Sequence, residues 1–359
     1  MLPPNLPFNL PLNLTFTARL LATAALLAAT AAHAQDSKTL YIGMNGGDME
    51  RAYTKYVFPA FEKIHGVKVV VVPGTSSDIL AKVQASKEKP PVNVMFLDDG
   101  VMMRAIKMGL CSKLDTSVLK DLYPSARMGG DMAAGVNVGM TGIGYNKKMF
   151  DEMKWAPPTS WMDFADPKFK GKVVFQSMPA STFGLHGFLM FNRIQGGKDN
   201  NVDPGFSKWG STIGPNVLEY IPSSAKLSEM VQNGEAAIFP LTPTAVATQK
   251  ARGVPMEYAQ PKEGSVLLMV AECVTANNSN PAMAQKLAEF LLTPQAQAAS
   301  LEFGNQIPSN LKTVASNPQA QTTVDRFKGY MKTVNALDWD QINTLRPEWN
   351  ARWNKTVER

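Results

Sequence analysis

The sequence is poor in the groups on which most enzyme chemistry depends. It holds two cysteines and three histidines in 359 residues. His33 lies in a leader-like N-terminus, which leaves His65 and His186, far apart in sequence. A zinc site built from His and Cys therefore lacks ligands. No dinucleotide fingerprint, phosphate-binding P-loop, H-E-x-x-H pair or G-x-S-x-G elbow occurs. A Ser-His-Asp triad would have to use His65, which reads as a helix-end surface residue, or His186, which reads as a packed residue in an apolar helix. We expect no catalytic residue, no metal and no cofactor. Long runs of one charge are also missing. The net charge is +6 and the pI about 9.1, but Lys and Arg are scattered singly or in pairs such as Lys147-Lys148. No basic face emerges that would suit a nucleic acid. The mature chain has no internal repeat, and no apolar run in it reaches the roughly 20 residues of a membrane span.

What is present begins with an export signal. Arg19 precedes the short apolar run Leu20–Ala29, and Ala32-His33-Ala34 forms an A-x-A cleavage site. Residues 1–34 read as a cleaved signal peptide, with a mature start near Gln35. No cysteine follows the site to carry a lipid. The mature chain is expected in the periplasm, where Cys111 and Cys273 could be bridged or free; the sequence leaves this open.

From Asp36 to Gly109 the chain reads β-α-β-α-β-α. Thr39–Gly43, Val67–Val72 and Val92–Leu97 are short apolar strands, and the last two lack polar alternation, as in sheets buried on both faces. A helix with apolar positions at Met49, Tyr53, Val57, Phe61 and Ile64 ends at Gly66. Ser77 can cap a helix from Asp78 to about Ser86. This alternation predicts a parallel sheet with helices on both faces. Ligands in such sheets sit outside the carboxyl ends of the strands. There lie Asn45–Asp48, Gly74–Ser77 and Asp98–Gly100, giving Gly46, Gly47, Ser76, Ser77, Asp98 and Asp99 as candidate site residues. A second unit begins near Gly139. Its strands Gly171–Gln176 and Glu235–Phe239 run into Ser181-Thr182 and Thr242-Pro243-Thr244, which adds Ser181, Thr182 and Thr242. The run Gly264–Thr275 is long enough to cross from one unit to the other.

Several segments together resemble the periplasmic solute-binding proteins of ABC transporters, in the group of polyamine, ferric-iron and thiamine binders. They are PAFEKIHGVKV (59–69), VNVMFLDDGVMMRAIKMGLCSKLD (92–115), PTSWMDFADPKFKGKVVF (158–175), NGEAAI (233–238), NPAMAQKLAEFLLTPQAQAASLEFGNQIPSN (280–310) and DWDQINTLRPEWNARWNK (338–355). They follow the family's order across almost the whole mature chain. The resemblance implies an α/β, two-lobed type II periplasmic-binding fold, each lobe a mostly parallel sheet flanked by helices, joined by hinge crossovers. Lobe one would be 36–138 plus 272–320 and lobe two 139–271. Residues 321–359 would form C-terminal helices packing on the lobes, with Trp339, Trp349 and Trp353 as packing residues. The partners implied are a small-molecule ligand and the permease and ATPase subunits of an ABC importer, with the binding protein a monomer. A receptor in place of the permease would leave the same sequence.

The family's polyamine-gripping side chains are not matched. Its aromatic after G-E-A falls at Thr242, its late carboxylate near Val270, and its acidic pair within Ser177–Thr182. Two ligand classes follow from what remains. Asp98 or Asp99 could pair one ammonium while Ser76, Ser77, Ser181 and Thr182 bond the other end. Alternatively, Gly46 and Gly47 amides, hydroxyls and helix N-termini could bind a carboxylate or phosphonate, with the Asp pair capping a helix. A single amine, an amino-acid-like solute or a carboxylate is thus expected. Spermidine or putrescine and ferric iron are alternatives on the same fold. A secreted two-lobed hydrolase or lyase is the alternative of another class.

Overall fold

The structure, a computed structural model, describes residues 38–224 and 226–358; the signal peptide expected at 1–34 lies outside them. The first half opens as the alternation predicts. Strand β1 (Thr39–Met44) leads into helix α1 (Asp48–Ala52), a π-helical turn (Tyr53–Val57) and α2 (Phe58–His65). Gly66, at φ 63°, ends α2. Then come β2 (Lys68–Pro73), α3 (Ser76–Ala85), β3 (Val94–Asp98) and α4 (Asp99–Lys107). β1 pairs in parallel with both β2 and β3. One local expectation fails. Thr75, not Ser77, caps α3, because its hydroxyl accepts from the Asp78 amide (3.2 Å) while the Asp78 carboxylate accepts from the Thr75 amide (3.1 Å). This reciprocal box satisfies two otherwise unpaired donors, and Ser77 falls inside the first turn.

The chain then enters β4 (Ala133–Asn146), the strand that links the halves. α5 (Lys147–Glu152), β5 (Val173–Gln176), α6 (Thr182–Ile194), α7 (Asp203–Trp209), β6 (Val217–Ile221), α8 (Leu227–Gln232), β7 (Ile238–Leu241), α9 (Pro243–Ala251) and β8 (Met256–Ala259) form the second half. β5 pairs in parallel with β6 and β7, and the end of β4 is antiparallel to β7 and β8. The chain returns through β9 (Ser265–Thr275) and closes with α10 (Pro281–Leu291), α11 (Pro294–Gly304), α12 (Pro318–Tyr330) and α13 (Trp339–Thr356). No helix among the described residues is long and apolar enough to cross a membrane.

Two elements run between the halves. β9 starts against the second half, with Val266 in its core and Ser265 Oγ 2.6 Å from the Tyr258 hydroxyl, and continues in the first sheet, antiparallel to β3 on one side and to β4 on the other. β4 pairs with β9 as far as Thr141 and with β7 from Gly142 onward, so it belongs to both sheets. Every residue of β4 is buried. Gly135 and Gly139 disguise its first half, since glycine lowers strand propensity. Gly142 has a packing reason: a Cβ there would lie 2.2 Å from the Tyr258 hydroxyl.

Each half has its own core. Leu40, Ile42, Phe58, Phe61 and Phe96 pack under the first sheet. Under the second, Trp353 of α13 lies 5.2 Å from Trp209 and 5.5 Å from both Phe188 and Tyr220, ring centre to ring centre. Such pairs add about 0.5–1.5 kcal/mol each beyond their buried area. Trp349 and Trp353 are thus packing residues. Trp339 is half-buried and lies on Gly100, where a Cβ would come within 2.5 Å of the indole.

Cys111 and Cys273 are bridged, with Cα atoms 5.6 Å apart across 162 residues of sequence. The bridge ties the segment after α4 to β9, where Thr275 pairs with Cys111. Next to Cys273 in β9, Glu272 is fully buried and neither carboxylate oxygen has a partner among the described residues. Burial raises its pKa well above the ordinary carboxyl value of 4.5, which favours the neutral acid.

Two predictions follow from the core. A chain-entropy account gives the long loop closed by Cys111–Cys273 about 5 kcal/mol. The double serine variant should therefore melt on the order of 10 °C lower, and equal melting curves would show that the bridge contributes nothing. Because the Glu272 pKa is raised on folding, its contribution is fully present below pH 4.5 and declines as pH rises, by about 1.4 kcal/mol per unit. Glu272→Gln should accordingly gain thermal stability over the parent at pH 8 and little at pH 4.

Candidate functional site

Parallel pairing of β1, β2 and β3 brings their carboxyl ends to one edge, and the loops there hold most of the expected site residues. The geometry centres on Asp98. It stands at the N-cap position of α4, yet its side chain makes no capping bond. Its amide donates to Ser76 Oγ (3.0 Å), which fixes the loop after β2 to the end of β3. Its Oδ2 accepts from Thr182 Oγ1 at 2.5 Å, and Thr182 is the first residue of α6 in the other half. Ser76, Asp98 and Thr182 therefore meet across the gap between the sheets. Burial raises the Asp98 pKa, while the Thr182 and Ser76 hydrogen bonds and the Arg346 charge oppose the rise.

The other candidates take different places. Asp99 is buried; its carboxylate accepts from the Gly100 amide (3.0 Å) and from the Trp339 indole. Burial lifts its pKa to about 7, with the Trp339 bond opposing and the Asp98 charge adding. Asp99, not Asp98, is thus the member of the pair absorbed locally. Ser181 caps α6, accepting from the Phe183 amide (3.3 Å) and donating to Gln176. Thr242 caps α9, accepting from the Ala245 amide (3.1 Å). Gly46 and Gly47 are exposed at the β1–α1 turn, with Gly47 at φ 77°.

Two features escaped the sequence reading. Asp48, next to Gly47, accepts from Arg252 and from Gln249 Nε2 (2.9 Å), both in or beside α9 of the second half. This is a second direct bridge between halves. The other is Arg346 on α13, 3% exposed and close enough to Asp98 to lower its pKa. Nothing local marks Arg346, which lies in a polar helix nearly 250 residues downstream of Asp98. His186 is packed as expected: it is fully buried, with Nδ1 2.8 Å from Thr141 Oγ1. Burial, then the charges of Arg346 and Arg193, push its pKa down to about 3, so the ring is neutral. Two surface pockets flank α9, one lined by Lys147, Asp151, Lys250 and Glu257, the other by Pro243, Val246, Tyr258 and Tyr330. Neither includes the Asp98 junction. No cluster among the described residues could hold a metal ion.

The family described as bacterial extracellular solute-binding protein matches residues 57–328. The chain belongs to that family. Its relatives include the spermidine/putrescine-binding periplasmic protein of Escherichia coli K12, 26% identical over 294 residues, covering 77% of this chain and 79% of that one. A Salmonella typhimurium protein named for 2-aminoethylphosphonate binding is 22% identical over 348 residues, covering 92% of this chain and 96% of its own length. Among solved structures, the periplasmic binding protein AfuA from Actinobacillus pleuropneumoniae, with fructose-6-phosphate bound, matches with TM-score 0.73 and 20% identity, over 89% of this chain and 99% of that one. The fold is thus the two-lobed type II periplasmic-binding fold.

The neutral His186 yields a prediction. Its folded pKa lies below the unfolded value of 6.5, so its contribution is present above pH 6.5 and is lost as pH falls toward 3. His186→Gln, which keeps an amide for Thr141, should flatten the fall in melting temperature between pH 6 and pH 4. An unchanged slope would show that the imidazole takes up its proton without cost.

Proposed function

We propose that the protein captures one small polar organic solute between its lobes at the Asp98 junction and delivers it to the permease and ATPase subunits of an ABC importer, acting in the periplasm as a monomer. The observation that carries this reading is the Asp98 carboxylate. It is released from capping its own helix and aimed at the opposite lobe. A carboxylate placed there can exchange Thr182 for a ligand ammonium when the lobes part and close again. Ser76 and Thr182 supply hydroxyls beside it, and Gly46 and Gly47 leave the neighbouring backbone open to a ligand. We take lobe one as 38–141 with 265–317 and lobe two as 142–264, which moves the limits expected at 138/139 and 271/272 to the points where strand pairing changes sheets. The hinge then lies in β4 at Thr141–Gly142, and the two helices after residue 317 lie against both lobes.

The solute is a single amine, an amino-acid-like molecule or a carboxylate. Polyamines, for which some relatives are named, fit less well. At the aligned positions Thr242 caps α9 and Val270 is a strand residue paired with Asp98. A second ammonium would find no carboxylate there, since Asp99 is bonded to Gly100 and Trp339. An unpaired buried charge is disfavoured by several kcal/mol. Iron fits less well still, because Tyr145 is buried against Phe150. Hydrolysis would need a base oriented by a third group. The carboxylate of Asp98 is held by the Thr182 hydroxyl with no histidine beside it among the described residues, and His186 is enclosed and turned to Thr141.

Native mass spectrometry of freshly purified protein should show a bound small molecule, and adding that compound should raise the melting temperature. Asp98→Asn should weaken the binding of an amine-bearing solute by about 10- to 100-fold. Turnover of the compound, or an Asp98→Asn variant that binds as the parent does, would overturn the assignment.

A further inference from the structure

The last helix carries an unfinished polar face. Asn343, Arg346 and Asn350 recur at i, i+3 and i+7 and so share one side of α13. Each has a buried polar atom without a hydrogen-bond partner: Asn343 Oδ1, Arg346 Nε and Asn350 Oδ1. His186 Nε2, on α6, is a fourth such atom, and its ring lies 5.7 Å from that of Trp339 at the start of the same helix. Arg346 is the most exacting of these groups. A guanidinium presents five N–H donors in a rigid fork. Here the residue is 3% exposed, and among the described residues its side chain makes one hydrogen bond, a long contact from Nη2 to the Pro179 carbonyl (3.5 Å). Pro179 stands three residues before Thr182, in the turn between β5 and α6. The guanidinium therefore borders the junction where Thr182 meets Asp98. It forms no ion pair among the described residues; the Arg104 charge bears on it unfavourably and the Asp98 charge favourably. Burial pulls its pKa down to about 10, which leaves it cationic at neutral pH.

A buried, underbonded guanidinium is costly unless something supplies acceptor oxygens. The matching shape is a planar or tetrahedral oxyanion taken by two donors at once. We propose that α13 forms the anion-binding half of the solute site, with Arg346 holding the carboxylate or phosphonate of a zwitterion whose ammonium sits on Asp98. This rests on the cleft reading above and narrows its ligand class. A dication would meet one carboxylate and a repelling guanidinium. A simple anion would meet Asp98. A zwitterion with its charges at opposite ends satisfies both groups.

Calorimetric titration of the full mature chain tests this with 4-aminobutyrate and 2-aminoethylphosphonate as zwitterions, and n-butylamine, butyrate and putrescine as their single-sign counterparts. At least one zwitterion should bind at least about 10-fold more tightly than any counterpart. Arg346→Gln should weaken it by about 100-fold, and Arg346→Lys, which keeps the charge but loses the fork, by about 10-fold. The ligand-free melting temperature of Arg346→Gln should hold or rise, because a buried unpaired charge has been removed. The assignment falls if neither zwitterion binds, if Arg346→Gln binds within twofold of the parent, or if its ligand-free melting temperature drops, which would mark Arg346 as structural. Tight putrescine or butylamine binding that depends on Asp98 but not on Arg346 would sink this inference and leave the cleft reading standing. Zwitterion binding indifferent to both Asp98→Asn and Arg346→Gln would sink both.

Discussion

Burying one strand from end to end is the constraint on which the rest of this architecture depends. The fourteen residues of β4 are all enclosed, and among the described residues no other strand pairs within both sheets. Every backbone donor and acceptor along it must be paired, so it has to exchange its first-sheet neighbour β9 for β7 and β8 without a gap. That exchange aims the carboxyl ends of β1, β2 and β3 at the start of α6. Thr141, the last residue of β4 paired in the first sheet, also bonds His186 of α6. The point of exchange is thereby fastened to the helix whose first residue meets Asp98.

The junction between the lobes is polar, and a few of its buried atoms, Arg346 Nε and His186 Nε2 among them, lack a partner among the described residues. Asp98, Arg346 and His186 are drawn out of water, and their pKa values move in the directions burial demands. Proteins tolerate such groups where a site requires them and recover the stability elsewhere. Here the recovery is visible in the aromatic packing around Trp353, in the bridge between Cys111 and Cys273, and in Asp48 reaching Gln249 and Arg252 across the lobes.

Most of the fold could be read from local pattern. The apolar runs at β2 and β3, Gly66 at the end of α2 and Pro294 at the start of α11 each act within a few residues, and sequence reading handles such signals well. The motif order from 59 to 355 carried the family. β4 was legible only in its second half, because glycines that make room for neighbours such as Tyr258 look like breaks when those neighbours cannot be seen. The strand-end rule picked residues that the fold does gather at one edge: Ser76, Asp98 and Thr182 lie together where the two sheets face each other, while Ser181 and Thr242 stand at helix caps. Two questions needed coordinates. Whether Asp98 or Asp99 is the locally bonded member depends on Trp339, and Arg346 acquires its neighbours only through tertiary packing.

The fit of Trp339 onto Gly100 has a further consequence. The indole lies close against a backbone with no side chain of its own, and Asn343 donates to the carbonyl of the same glycine at 2.8 Å. These two contacts set how deeply α13 seats behind the loop of Asp98, and so how far Arg346 reaches. A single methyl group at position 100 would lift the helix like a shim under a hinge plate. It would leave every polar residue there in place chemically and shift the spacing between Asp98 and Arg346, so that the backbone of one glycine serves as the gauge for how the last helix meets that loop.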